Sequence, residues 1–265
     1  MPDTTQTLHT VTSADGTTIA YDRLGDGPPV VLVSGGSTDR MANAGLAAAL
    51  APRFTVFNYD RRGRGPSGDT PPYAVAREVE DIAAVIDAAG GSAHLYGTSS
   101  GAALALEAAA SGVPLQKLAL WEPPWFVDPA QRPPLDSADT YRRFVAEGRR
   151  DKAVEYFMVD VVRLPAEFVA FAKTQPWWAG QEAIAHTLAY DAEVMGDYLI
   201  PTDRARKVGV PTIILTGGDS FPFFRETAEA VAGIIPDART GVLEAQEHNV
   251  DPQVIGAALA EFFAS

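Results

Sequence analysis

Cysteine is missing from all 265 residues. That excludes disulfides, thiolate nucleophiles and Cys-based metal sites. Positive charge is scarce: 21 Lys and Arg face 34 Asp and Glu, for a net charge of −13. So acidic a chain lacks the basic patches that nucleic acid or an anionic membrane surface requires, and neither is expected as a partner. No apolar run is long enough to span a bilayer. Met1-Pro2-Asp3-Thr4-Thr5-Gln6 has neither the charged n-region nor the apolar h-region of a secretion signal, so the expected location is cytoplasmic. His-Glu-x-x-His, EF-hand and Walker sequences are missing as well, and no metal or other cofactor is expected. Repeats and low-complexity tails are absent.

What is present suits one large α/β domain, or a core with an insertion, able to bury a sizeable core. Residues 7–12 and 17–24 alternate apolar and polar around Asp15-Gly16, a hairpin signal. Residues 29–33 and 54–59 are apolar runs, as expected of strands covered on both faces, and further strands are expected at 93–96, 118–121, 212–215 and 239–243. Val75, Val79, Ile82 and Ile86 fall on one helical face. Asp251-Pro252 opens a last helix carrying Ile255, Leu259 and Phe262. Strands alternating with helices predict a mostly parallel sheet with helices on both faces. Residues 123–206 break that rhythm. They are aromatic, proline-dotted and free of strand signals, and they predict a helical lid inserted into a core of residues 1–122 and 207–265. Such a lid would cover the carboxyl end of the sheet, where open α/β sheets bind ligands.

The most informative stretch is Gly97-Thr98-Ser99-Ser100-Gly101. It follows the apolar run Ala93-His94-Leu95-Tyr96 and precedes the small-residue helix beginning Ala102-Ala103-Leu104. Strand, tight turn and helix with Gly-x-Ser-x-Gly in the turn make a nucleophile elbow, which strains Ser99 and lifts its hydroxyl off the sheet edge. A nucleophilic serine needs a base. Of the four histidines, His9 lies in the hairpin, His94 inside a strand and His186 on a lid helix. His248, between the last strand and the last helix, has the position a base requires.

In these features the chain resembles the α/β-hydrolase superfamily over nearly its whole length. Ser34-Gly35-Gly36 stands after the third strand, where that family usually has His-Gly-x. Asp60-Arg61-Arg62-Gly63-Arg64-Gly65-Pro66-Ser67 matches its Asp-x-x-Gly-x-Gly-x-Ser loop after the fourth strand. The order serine, acid, histidine is also the family's. The resemblance implies an eight-stranded, mostly parallel sheet with an inserted helical lid. It implies a Ser-His-acid triad and an oxyanion hole formed by the N–H groups of Gly36 and Ser100. Two acids are open. Asp219 lies one residue short of the usual site after the penultimate strand, where Ser220 stands. Glu122 ends the sixth strand, at a second acid site known in the superfamily. Glu122 together with the Gly-x-Ser-Ser-Gly elbow is similar to the zearalenone-type lactonases. A serine rather than an aspartate at the elbow argues against haloalkane dehalogenase and epoxide hydrolase activity, which use a carboxylate nucleophile.

The expected substrate is a small apolar ester or lactone. Gly35 is expected beside it, and Trp125, Trp177 and Trp178 either line its pocket or hold the lid's own core. Phe221, Phe223 and Phe224 read as packing residues. Gly63-x-Gly65-x-x-Gly68 matches a dinucleotide fingerprint, but Asp69-Thr70-Pro71-Pro72 follows where a helix would have to start. Arg61, Arg62 and Arg64 read as braces paired with Asp60 or nearby acids, with a phosphate site as the alternative. The same triad would also serve C–C bond hydrolysis or perhydrolysis, and the same fold a non-hydrolytic ligand-binding protein. A homodimer is left open, since no amphipathic dimer stripe stands out.

Overall fold

The computed structural model describes residues 8–265. The polar segment 1–6, and residue 7 of the expected first strand, lie outside the described residues. One sheet contains β1 (Leu8–Thr12), β2 (Thr18–Leu24), β3 (Pro29–Val33), β4 (Thr55–Tyr59), β5 (Ala93–Thr98), β6 (Leu115–Trp121), β7 (Thr212–Gly217) and β8 (Ala238–Leu243). Their spatial order is β1-β2-β4-β3-β5-β6-β7-β8. β1 and β2 form the hairpin that Asp15-Gly16 predicts, and β2 runs antiparallel to β4. All other pairings are parallel.

Successive side chains of a strand point to opposite faces, and the two cores follow that alternation. Val31, Val33, Leu95, Leu118, Leu120 and Ile214 join one buried cluster. Their neighbours Val30, Leu32, Tyr96, Ala119, Trp121, Ile213 and Leu215 join the other. Hence the apolar runs of the central strands, whose two faces are both inside; β8, at the edge of the sheet, has no fully buried position. The first cluster is covered by α2 (Val75–Ala88), α3 (Ser100–Ala110) and α10 (Pro222–Ala232), which supply Ile82, Ile86, Leu104 and Val231. The second is covered by α1 (Ala44–Leu50) and α11 (Pro252–Ala264), which supply Leu46, Leu50, Ile255, Leu259 and Phe263. As the sequence predicts, Asp251 caps α11: its carboxylate accepts the Gln253 N–H at 2.8 Å, with Pro252 in the first turn.

Between β6 and β7 the chain forms α4 (Ser137–Ala146), α5 (Arg150–Tyr156), α6 (Ala166–Ala172), α7 (Trp178–Ala183), α8 (Leu188–Met195) and α9 (Thr202–Ala205). This insertion has an apolar cluster of its own, built on residues such as Tyr141, Val154, Met158, Trp178 and Leu188. Its one strand-like contact among the described residues is the bridge between Phe126 and Leu199. Among those residues no helix is long and apolar enough to cross a membrane.

Candidate active site

Register brings the ends of three strands together. Thr98 pairs with Trp121, and Trp121 with Leu215. The pairing continues one residue further: Ser99 N–H donates to Trp121 O at 2.9 Å, and Glu122 N–H to Leu215 O at 3.1 Å. Ser99 and Glu122 thus sit at the carboxyl ends of adjacent strands.

The turn around Ser99 is as tight as the sequence predicts. Ser99 has φ 55° and ψ −126° and caps α3. A Cβ on Gly97 would lie 2.3 Å from Gly101 O, and one on Gly101 would lie 2.5 Å from Ser34 O. No side chain fits at either position, so strand, helix and the loop after β3 can approach only on glycine. A Cβ on Gly35 would stand 3.2 Å from the Ser99 Cβ, which puts the Ser34–Gly36 loop directly against Ser99. Among the described residues, neither the Gly36 N–H nor the Ser100 N–H has a hydrogen-bond acceptor.

Glu122 is fully buried and has φ 44°, unusual for a non-glycine residue. Both of its carboxylate oxygens are engaged. Oε1 accepts the Gly217 N–H at 2.7 Å. Oε2 lies 2.6 Å from His248 Nδ1, hydrogen-bonding distance for an Nδ1–H donor. The His248 ring lies flat against Phe224, with centroids 5.0 Å apart and planes at 6°. Trp121 Nε1–H donates to the His248 backbone O at 2.9 Å, tying the loop after β8 to the end of β6. The other candidate acid, Asp219, is exposed. Its backbone N–H donates to Gln246 O at 2.9 Å, and its carboxylate has no partner among the described residues.

Arg61, Arg62 and Arg64 are braces, but not of Asp60. Arg61 grips Glu78 with two bonds of 2.7 Å and reaches Asp191 with a third of 2.7 Å. Arg62 is bidentate to Asp81 and also pairs with Asp15. Arg64 donates to Asp191 at 2.7 Å and to the carbonyls of Gly35 and Thr38. Asp60 instead accepts from the N–H and guanidinium of Arg40. All three guanidiniums are buried. Burial works against the charge of Arg61, yet Glu78 and Asp191 hold its pKa well above the ordinary value. Burial likewise opposes ionisation of Asp191, but Arg64 and Arg61 outweigh it and hold the carboxyl below its ordinary range. With the forks of Arg61 and Arg62 filled by carboxylates, and Arg64 held by Asp191 and two backbone carbonyls, these arginines act as structural braces; nothing in their contacts favours a phosphate. Asp191 and Arg40 carry no sequence signal, because their partners are assembled only by the fold.

The remaining candidates have other surroundings. His94 is buried, stacked on Phe263 with ring centroids 4.6 Å apart. His186 lies 3.5 Å from Asp69, and His9 stacks on Tyr21. Trp125 is buried in the core cluster beneath α3. Trp178 is buried in the insertion's own cluster and donates to Glu182 at 3.0 Å, whereas Trp177 is largely exposed. The stretch after Gly68 is loop until α2 begins at Val75, as the dinucleotide exclusion requires. Among the described residues no group of three or more His, Asp or Glu is placed to hold a metal ion.

Known proteins share this architecture. A solved alpha/beta hydrolase from Sphaerobacter thermophilus is 53% identical, with a TM-score of 0.91 over 96% of this chain and 100% of that one. N-formylmaleamate deformylase from Pseudomonas putida is 34% identical over 154 residues, 51% of this chain and 58% of the deformylase. A thermophilic esterase from Thermogutta terrifontis, solved with malate bound, has a TM-score of 0.73 at 24% identity over 97% of this chain and 98% of its own, a likeness of fold alone. Matches to curated relatives span between 15% and 58% of those proteins' lengths. A model of the alpha/beta hydrolase family matches residues 30–258. The chain belongs to the alpha/beta hydrolase family.

Proposed function

We propose that the protein is a serine hydrolase that cleaves an ester or lactone of a small apolar molecule through Ser99, His248 and Glu122. The observation that carries this reading is the 2.6 Å contact between His248 Nδ1 and Glu122 Oε2, with Glu122 anchored on Gly217 and its strand beside that of Ser99. Ser99 Oγ attacks the carbonyl carbon while His248 Nε2 takes its proton. The tetrahedral intermediate collapses when that proton reaches the leaving oxygen, giving an acyl-enzyme that water hydrolyses by the same steps. Glu122 fixes the imidazole tautomer and stabilises the imidazolium. The N–H groups of Gly36 and Ser100 receive the oxyanion; the latter opens α3, where the helix dipole adds to its pull.

The insertion serves as a lid, and its aromatic content, together with Phe223 and Phe224 at the start of α10, motivates an apolar substrate. The lactone preference rests on the glutamate after β6 and the Gly-x-Ser-Ser-Gly elbow. The deformylase relative favours a second reading in which the same triad attacks an N-acyl amide. Nothing in the site requires a cofactor. Two measurements test the proposal: fluorophosphonate labelling located by peptide mapping, and turnover of short-chain esters, macrolactones and N-formyl amides by wild type and Ser99→Ala. Labelling at Ser99 and loss of turnover in the variant are expected. A Ser99 that never labels, or turnover unchanged in Ser99→Ala, would favour a non-hydrolytic ligand-binding protein. Whichever substrate class the wild type prefers decides between ester, lactone and amide.

A further inference from the structure

We propose that Asp191, carried by the helical insertion, is a positioning residue that assembles the oxyanion hole, so the hole is complete only when the insertion is seated on the core. The inference rests on the serine-hydrolase reading. Asp191 lies in α8, far along the chain from the elbow, yet its carboxylate is buried against both halves of the hole. Oδ1 accepts the Ser100 hydroxyl at 2.8 Å and Arg61 Nη1 at 2.7 Å. Oδ2 accepts Arg64 Nη2 at 2.7 Å. Arg64 in turn donates through Nη1 to Gly35 O at 2.6 Å and Thr38 O at 3.1 Å.

The Gly35 carbonyl and the Gly36 N–H belong to one peptide unit. That unit is planar and trans, so gripping its oxygen from one side points its N–H to the other. Arg64 therefore aims the first oxyanion donor and polarises its peptide. Asp191 holds Arg64 in place and, through Ser100 Oγ, holds the residue that supplies the second donor. A Cβ on Gly36 would lie 3.3 Å from Asp191 Oδ2 and 3.4 Å from Ser100 Oγ, so carboxylate, hydroxyl and loop share one tight contact. A carboxylate this close would repel an oxyanion if it were alone. Arg61 and Arg64 neutralise it, with the excess charge of Arg61 met by Glu78. The insertion touches the same loop again where Ser37 Oγ donates to Gln181 in α7.

The test compares wild type, Asp191→Asn and Ser100→Ala, with Ser99 titrated to completion by a fluorophosphonate so that rates refer to competent sites. KM and the Kd of an alkylboronic acid, whose tetrahedral adduct occupies the oxyanion hole, are measured alongside. Asp191→Asn is expected to lower kcat per titrated site roughly 10- to 100-fold and to weaken the boronic acid by a similar factor, with KM within about threefold. Ser100→Ala leaves the arginine pairs intact and is expected to lower both about three- to tenfold; it decides the matter if Asp191→Asn does not fold. Values within about twofold of wild type for both variants would overturn the inference, as would a loss that disappears on normalising to titrated sites. Turnover persisting in Ser99→Ala would instead overturn the serine-hydrolase reading beneath it.

Discussion

Ser99 and Glu122 are held at positive φ, 55° and 44°, where a side chain is costly. For Ser99 the cost has a use, since only this conformation projects a side chain from the tip of the turn. Replacing it with glycine should release the strain, whereas alanine keeps it. Ser99→Gly is therefore expected to be more stable than Ser99→Ala by about 1 kcal/mol in urea unfolding, with both inactive. At this scale the sequence carries strong local signals for Ser99, in its motif, and for His248, as the histidine in the loop after the last strand. It does not choose between Glu122 and Asp219, because a one-residue change in loop length moves a carboxylate into or out of reach. The 2.6 Å contact of Glu122 with His248, and an Asp219 carboxylate with no partner among the described residues, come from the fold. Asp191 is less legible still: it meets Ser100 across 91 positions of chain.

Among the elements, the strands were the most legible, because a strand buried on both faces leaves an uninterrupted apolar run. Boundaries moved by one to three residues; β6, for example, begins at Leu115, ahead of the run that starts at residue 118. β5 also carries a polar group within its apolar run. His94 stacks on Phe263 of α11 and meets the edge of Phe54 at 6.2 Å. Burial, with a smaller contribution from Lys117, pulls its pKa down to about 4. The folded protein thus resists a proton that the unfolded chain takes up near pH 6.5. The corresponding stability is present above pH 6.5 and is lost as pH falls toward 4, by about 3 kcal/mol in all. His94→Phe should remove this loss. Urea midpoints at pH 7 and pH 4.5 are expected to differ less for the variant than for wild type by an amount corresponding to most of that value; an unchanged difference would mean that His94 is solvated.

At the scale of the whole molecule, the insertion has its own apolar cluster, but it is also tied to the core, both by Phe126, Val194, Met195 and Tyr198 packed into the sheet's cluster and by polar groups. Arg61 and Arg64 reach Asp191, and Tyr190 O–H donates to Asp69 at 2.8 Å. Breaking a buried pair strands a charge, which typically costs about 3–5 kcal/mol. Seating the insertion is thereby coupled to the integrity of the core. The tryptophans divide accordingly: Trp121 and Trp125, the latter at the start of the insertion, pack in the sheet's clusters, while Trp178 packs in the insertion's own cluster and Trp177 stands next to it. Unfolding followed through tryptophan fluorescence and through far-UV circular dichroism should give coincident transitions in wild type. In Asp191→Asn the insertion should melt first and the two curves should separate; curves that stay superimposed would place the coupling elsewhere.

The most direct test of the Ser99–His248–Glu122 assignment is kcat per titrated Ser99 for Glu122→Gln and Asp219→Asn, on a substrate the wild type turns over. Glutamine keeps the shape of the side chain but cannot stabilise the imidazolium or enforce its tautomer, so a loss of roughly 10³- to 10⁴-fold is expected, with Asp219→Asn within about twofold of wild type. A Glu122→Gln enzyme that retains most of its activity, or an Asp219→Asn enzyme that loses the larger share, would contradict the assignment.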